Sequence, residues 1–75
     1  MPGIPRMSGR EVVRVLESLG WTVARRHNHI ILVKPGHLAT LSVPDHKEVA
    51  RGTLRSLIRA ANLTLPEFLK ARRGH

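Results

Sequence analysis

The sequence predicts an α+β fold with two layers, in which helices cover one face of a three-stranded antiparallel sheet. Two observations carry this prediction: helical periodicity with capping signals lies near both ends of the chain, and three short runs of strand-forming residues lie between them. Because such a sheet must bury its apolar face, the amphipathic helices are its natural cover. A chain of 75 residues is too short for two lobes, so we assign 1–75 to a single domain with the order α-β-β-β-α-α.

The first helix begins at a capping signal. Ser8 can accept a hydrogen bond from the amide three residues later while the Glu11 side chain reaches back, which is the pattern of a capping box. Gly20 can end the helix in a left-handed conformation. Between these points the apolar residues recur at helical spacing and predict an amphipathic helix of about three turns. The apolar stripe consists of Val12, Val15, Leu16 and Leu19.

Three strands follow the first helix. The polar residues at 25–28 predict the turn after the first strand, and Pro35 and Gly36 predict the turn after the second. The second strand contains four consecutive apolar residues at 30–33, so it is apolar on both faces, as a central strand is. The predicted strands span 21–26, 29–34 and 38–43.

Two further helices complete the chain. Gly52 and Thr53 open the second helix, whose apolar stripe continues to Ala61. Residues 64–67 form another capping box and open a third helix that runs to Arg73. We expect flexible ends, since chain termini fray. These ends are 1–7 and 72–75.

The charge balance favours a polyanionic partner. Lys and Arg number 13 against five Asp and Glu, which gives a net charge of +8, and the hydrophobic fraction of 41% is enough for a folded core. Such a surface suits nucleic acid first, an acidic protein second and an anionic membrane third. The chain has no cysteine, which excludes disulfides and thiol nucleophiles. We see neither an apolar run of about 18 residues nor a signal peptide, so we expect a cytoplasmic protein without a membrane partner.

The residues that join the first two strands could carry chemistry on RNA. Cleaving RNA without a metal needs a base for the 2′-hydroxyl, an acid for the leaving 5′-oxygen and cations for the phosphorane. A histidine can be base or acid near neutral pH, and His29 has Arg25, Arg26 and His27 beside it. The plainer alternative is that His29 is an exposed residue at a strand start.

Other histidines are weaker candidates. His46 follows a proline turn and is a candidate second imidazole, although such a histidine more often stabilises a loop. His27 and His29 are spaced i, i+2, but no acidic residue is near them in sequence, so we expect no functional metal site and no cofactor. The acidic residues are scattered, which argues against hydrolysis by paired carboxylates.

Arginines recur at helical spacing on two helices. Arg55 and Arg59 lie beside the apolar stripe of the second helix with no acid between them, so we favour RNA contact or docking to an acidic partner there. Arg10 and Arg14 repeat the spacing on the first helix, but Glu11 and Glu17 intervene. We interpret the arginines of the first helix as a solvated face.

The order of elements resembles the double-stranded-RNA-binding fold, and four motifs resemble the HicA family of bacterial mRNA-interferase toxins. In that family a Gly-Ser-His opens the central strand, a Val-Pro-x-His ends the next and a Gly-Thr-Leu-Arg opens the second helix. Here His29 takes the place of the histidine, with His27 and Asn28 at the Gly and Ser positions. The resemblance extends from Ser8 to Leu69. The motifs are Arg26-His27-Asn28-His29-Ile30-Ile31, Lys34-Pro35-Gly36, Val43-Pro44-Asp45-His46 and Gly52-Thr53-Leu54-Arg55.

The resemblance implies an endoribonuclease that cleaves mRNA, inhibits translation and is neutralised by a HicB-type antitoxin. We predict a metal-independent reaction with His29 as general base or acid, in a protein that is a monomer or a weak homo-oligomer when free. Two alternatives stay open, a non-catalytic RNA-binding module of the same fold and a basic protein-interaction subunit. The predicted RNA contacts are Arg25, Arg26, His27, Asn28, Lys34, Arg55 and Arg59.

Overall fold

A computed structural model describes residues 3–74 and confirms the predicted α+β fold. The three strands form one antiparallel sheet in the order β1-β2-β3, so the strand that is apolar on both faces is central, as predicted. The helices lie on one face of the sheet and the other face is open. The elements are α1 Gly9–Ser18, β1 Thr22–Arg26, β2 His29–Val33, β3 Leu41–Pro44, α2 Arg51–Ala60 and α3 Leu65–Arg73.

The predicted signals at both ends of α1 are present. The Ser8 hydroxyl accepts from the Glu11 N–H at 3.2 Å, and the Ser8 N–H donates to the Glu11 carboxylate at 2.9 Å. These two bonds satisfy amides that the first turn of a helix leaves free. Gly20 follows the helix with a φ of 99°, the left-handed conformation that a side chain disfavours.

Burial alternates along β2 and defines the two faces of the sheet. Ile30 and Leu32 are buried against the helices, whereas His29 and Val33 are exposed and Ile31 is half-buried. Successive side chains of a strand point to opposite faces, so His29, Ile31 and Val33 share the open face. The open face therefore presents a histidine at one end of a short apolar row.

The third strand is shorter than predicted. Alternation at 38–43 predicted a strand from Leu38, but β3 begins at Leu41, whose register partner is Leu32. Leu38 is fully exposed, with a relative exposure of 104%. β2 ends at Val33, which this register places opposite Thr40, so Leu38 and Ala39 have no residue of β2 with which to pair, and alternation alone does not create a strand.

The helices seal the core from one side. Thr64 and Glu67 form the predicted capping box of α3, with the Thr64 N–H donating to the Glu67 carboxylate at 2.8 Å. Phe68 of α3 is completely buried. The other largest fully buried side chains come from α1, the sheet and α2: Leu16, Ile30, Leu32, Leu41, Leu54, Val12 and Val43. No helix among residues 3–74 is long and apolar enough to cross a membrane.

The ordered part of the chain extends further towards both ends of the sequence than we expected. Met7 was assigned to a flexible end, but it is buried, and its carbonyl accepts from the Val49 N–H at 2.7 Å. Arg72 and Arg73 continue α3. Residues 1, 2 and 75, which belong to the same prediction, lie outside the described residues.

Candidate nucleic-acid interface

The β1–β2 hairpin forms a shallow hollow on the open face of the sheet. Only His27 and Asn28 separate the two strands, and the His27 N–H donates to the His29 carbonyl at 3.0 Å. This bond closes the hairpin and places His29 as the first residue of β2. The hollow has a volume of about 250 Å³. It is lined by Arg25, His27, Asn28, His29 and Ile31.

The backbone around His29 is fixed from two sides. Within the sheet, His29 is the register partner of Pro44 on β3, and the next N–H of that segment, from Asp45, points to the Asn28 carbonyl at 3.5 Å. Behind the sheet, the first turn of α1 rests on this strand end, since the Gly9 N–H donates to the His46 carbonyl at 2.9 Å. The imidazole of His29 itself is exposed. The site therefore combines a held backbone with an accessible ring.

The chemistry of the hollow is cationic and basic. Two imidazoles and one guanidinium line it, and none of the described residues that line it is acidic. Imidazoles can accept and donate protons near neutral pH, and a guanidinium can contact phosphate oxygens through several N–H groups. The half-buried Ile31 provides an apolar floor. This set of groups fits a phosphodiester better than it fits a cation.

Arg26 does not lie in the hollow with Arg25. Its register partner is the buried Ile30, so Arg26 points to the helix side of the sheet, where it lines a separate hollow with residues of α1. We had predicted that Arg25 and Arg26 act together beside His29. Neighbouring strand residues face opposite sides, and the structure accordingly separates these two arginines.

A family model described as HicA toxin of bacterial toxin-antitoxin matches residues 9–63, well over half of the chain. The chain belongs to the HicA toxin family. The match runs from the start of α1 past the end of α2 and so includes every residue of the hollow. Membership supports a toxin of a toxin–antitoxin system and, at the coarsest level, a nuclease. No curated protein shows a significant match.

Three other predicted RNA contacts lie away from the hollow in this HicA-family chain. Lys34 follows the far end of β2, roughly 16 Å along the strand from His29, and its side chain lies against Gly20. Arg55 and Arg59 line a hollow of about 350 Å³ with Ile4, Ile58, Leu63 and Leu65, on the helix side of the sheet. The structure therefore does not bring these three cations together with His29.

The other two histidines that the structure describes, His37 and His46, do not line the hollow. His46 is exposed, and it is its backbone carbonyl that holds the start of α1. His37 packs on Trp21 with ring centroids 4.8 Å apart, and its Nδ1 accepts from the Ala39 N–H at 3.3 Å. Within residues 3–74, no three histidine or acidic side chains form a group that could hold a metal ion.

The sequence reasoning did not predict that the arginines of α1 lie beside Arg26 in this HicA-family chain. We interpreted Arg10 and Arg14 as a solvated face, and both are exposed, but both also line the hollow that Arg26 enters. The alternation of Arg25 and Arg26 was the available signal, because one of two successive strand residues must face the helix layer. Which helix it meets depends on packing between distant parts of the chain.

Proposed function

We propose that this HicA-family protein is a metal-independent endoribonuclease that cleaves mRNA, with His29 as its catalytic residue. The observation that carries the proposal is the exposed imidazole of His29 at a strand start with hydrogen-bonded backbone, beside Arg25 in a hollow without a lining carboxylate. Family membership supports the nuclease class. The setting that we propose is the bacterial cytoplasm, where the substrate is found.

The proposed reaction moves two protons. The 2′-oxygen of the substrate forms a bond to phosphorus while the bond from phosphorus to the 5′-oxygen breaks, which leaves a 2′,3′-cyclic phosphate and a free 5′-hydroxyl. His29 accepts the proton of the 2′-hydroxyl or returns one to the 5′-oxygen, and His27, which lines the same hollow, is available for the opposite transfer. Arg25 stabilises the charge that gathers on the phosphorane.

The partner that we propose is a HicB-type antitoxin that covers the open face. Beside His29 the face carries the half-buried Ile31 and then Val33, with 40% of its surface exposed. Apolar side chains next to a cationic hollow support masking by a protein that is itself acidic at that contact. The free protein is then a monomer or a weak homo-oligomer.

Substitution of His29 tests the proposal. We expect His29→Ala to cleave an mRNA transcript in EDTA at least about a hundredfold more slowly than the wild type, because general acid–base catalysis typically contributes factors of about 10² to 10⁴. Its melting temperature should remain close to that of the wild type, since the side chain is exposed, and it should still bind RNA through the unchanged arginines. Cleavage is followed on a gel, and binding by fluorescence anisotropy at a stated salt concentration.

The matched control is His46→Ala, which removes another exposed imidazole from the same end of the molecule. We expect it to cleave as the wild type does. Equal cleavage by wild type and His29→Ala would contradict the site assignment. A wild type that cleaves only after addition of a divalent metal would contradict the metal-independent mechanism.

A non-catalytic RNA-binding module is the second candidate. It is favoured by His27 and Asn28, which stand where the resembled motif has glycine and serine. A side chain at the glycine position prevents the backbone from approaching RNA as closely. This candidate predicts that purified wild type binds RNA and leaves it intact.

A further inference from the structure

A basic groove lies between α1 and the outer edge of the sheet. It is lined by Arg26 of β1 and by four residues of α1, namely Arg10, Val13, Arg14 and Glu17. We call this hollow of about 410 Å³ the α1–β1 groove. It carries three guanidinium groups and one carboxylate, so its net charge is positive.

The charges around the groove leave its arginines free to bind an anion. Arg10 is paired with Asp45 at 3.6 Å, but the arginine side chain is 77% exposed. An exposed pair of this kind contributes little and exchanges readily. Arg14 also lines a neighbouring hollow with Glu11 and Arg72, where a second cation offsets the acid. No acidic residue among those described therefore neutralises the groove as a whole.

The groove and the hollow around His29 lie on opposite sides of the edge strand β1. Arg25 and Arg26 are consecutive on β1, and they face opposite sides of the sheet. β1 is an edge strand, so no other strand among residues 3–74 covers the backbone between the two arginines. A bulge between Val23 and Arg25 bends this strand, and bulges increase local twist. The guanidinium groups of Arg25 and Arg26 thus lie on opposite sides of the twisted edge strand β1.

We infer that the α1–β1 groove is a second binding site for the RNA strand whose phosphate is held at His29. The strand leaves the hollow past Arg25, crosses the edge of β1 and places further phosphates against Arg26, Arg14 and Arg10. The inference rests on the proposed function and extends it, because it names the path of the substrate beyond the reacting phosphate. It also gives a role to the arginines of α1.

Length-dependent binding tests the groove. In a His29→Ala background, which keeps the RNA intact, we compare Arg14→Gln/Arg26→Gln with the control Arg6→Gln/Arg73→Gln. The control removes the same charge from exposed positions outside the groove. The probes are single-stranded RNAs of about 4 and about 12 nucleotides, which span the range of site sizes seen for single-strand binders.

We expect the groove variant to bind the longer RNA about tenfold more weakly than the control does at physiological salt. The slope of log K against log salt should decrease by about 1.4, because each phosphate contact to a single strand contributes about 0.7. For the shorter RNA, which fills only the hollow, the two variants should differ by less than about twofold. Equal affinities and slopes for the longer RNA would overturn the inference.

Glu17→Gln should change the affinity for the longer RNA in the opposite direction. It removes the only carboxylate among the residues that line the groove, so it should tighten binding of the longer RNA and leave the shorter RNA unaffected. Unchanged or weaker binding of the longer RNA would count against the groove. If the wild type neither binds nor cleaves RNA, the proposed function is overturned as well. If the wild type cleaves RNA but the groove variant binds the longer RNA as tightly as its control does, only the inference about the groove is overturned.

Discussion

At Gly9 the first turn of α1 approaches the end of β3 so closely that no side chain fits between them. A Cβ atom at this position would clash with the carbonyl oxygen of Pro44, which is backbone and cannot move aside as a flexible side chain can. The same contact supports His29, the register partner of Pro44. Gly9 therefore matters for a close approach between elements, with no special backbone angle involved.

We expect Gly9→Ala to destabilise the fold by about 1–3 kcal/mol, which is the usual effect of overpacking. For a domain of this size that lowers the melting temperature by about 5 °C or more. Gly52→Ala is the control, because a Cβ atom there meets nothing within 4 Å and alanine favours a helix. It should keep or raise the melting temperature. A Gly9→Ala protein as stable as Gly52→Ala would contradict the close approach.

Local sequence signals predicted most of the element boundaries. They failed where a boundary depends on pairing with another strand. Ser8 and Thr64 open helices as expected because a capping box involves only four neighbouring residues. Leu38 did not open a strand, since a strand forms only beside a partner and β2 ends at Val33. Periodicity reports what a segment could form, whereas the partner determines what does form.

The two capping boxes predict how the stability of helices α1 and α3 depends on pH. Hydrogen bonds from Ser8 lower the pKa of Glu11 below its ordinary value of 4.5, and hydrogen bonds from Thr64 do the same for Glu67. As the pH falls, the two glutamates therefore become protonated in the unfolded chain at a higher pH than in the folded protein. The stabilisation is complete above about pH 4.5 and is lost as the pH falls through the lowered pKa of the folded state.

We expect Glu11→Gln/Glu67→Gln to show a shallower fall in melting temperature than the wild type between about pH 5 and pH 3. Glutamine keeps the hydrogen-bonding geometry of a capping box and has no proton to gain, so the two proteins should be similar near pH 7. Glu48→Gln, at an exposed acid outside both boxes, is the control and should follow the wild type. Parallel curves for all three proteins would refute this assignment.

Across the whole molecule, the net charge of +8 acts against folding. The protein measures 33 × 26 × 21 Å, while the screening length of salt is about 30 Å at 0.01 M and about 8 Å at 0.15 M. At low salt, repulsion thus acts across the full width of the fold, and at physiological salt it acts only between neighbours. We expect the melting temperature to rise between these two concentrations of sodium chloride. A constant or falling melting temperature would show that self-repulsion is not significant.

For the whole molecule, the sequence predicted which residues of the proposed site lie together in one hairpin, but not which elements the helix arginines face. Arg25 and His27 to His29 belong to one hairpin, so their proximity follows from a short turn. Arg55 was predicted to contact RNA from its helical spacing, but that spacing describes one helix and does not say which element the helix faces. The same limit hid Arg10 and Arg14.

Alternation along β2 separates the residues of the core from the proposed catalytic residue. Ile30 and Leu32 face the core, whereas His29, the first residue of β2, faces solvent. A substitution at His29 removes almost no buried surface, so a variant changed there keeps its free energy of unfolding and hence its cellular abundance. With His29 as the proposed catalytic residue, activity can be lost in evolution without loss of cellular abundance. An inactive descendant would stay folded and could acquire changes on its open face without first regaining stability.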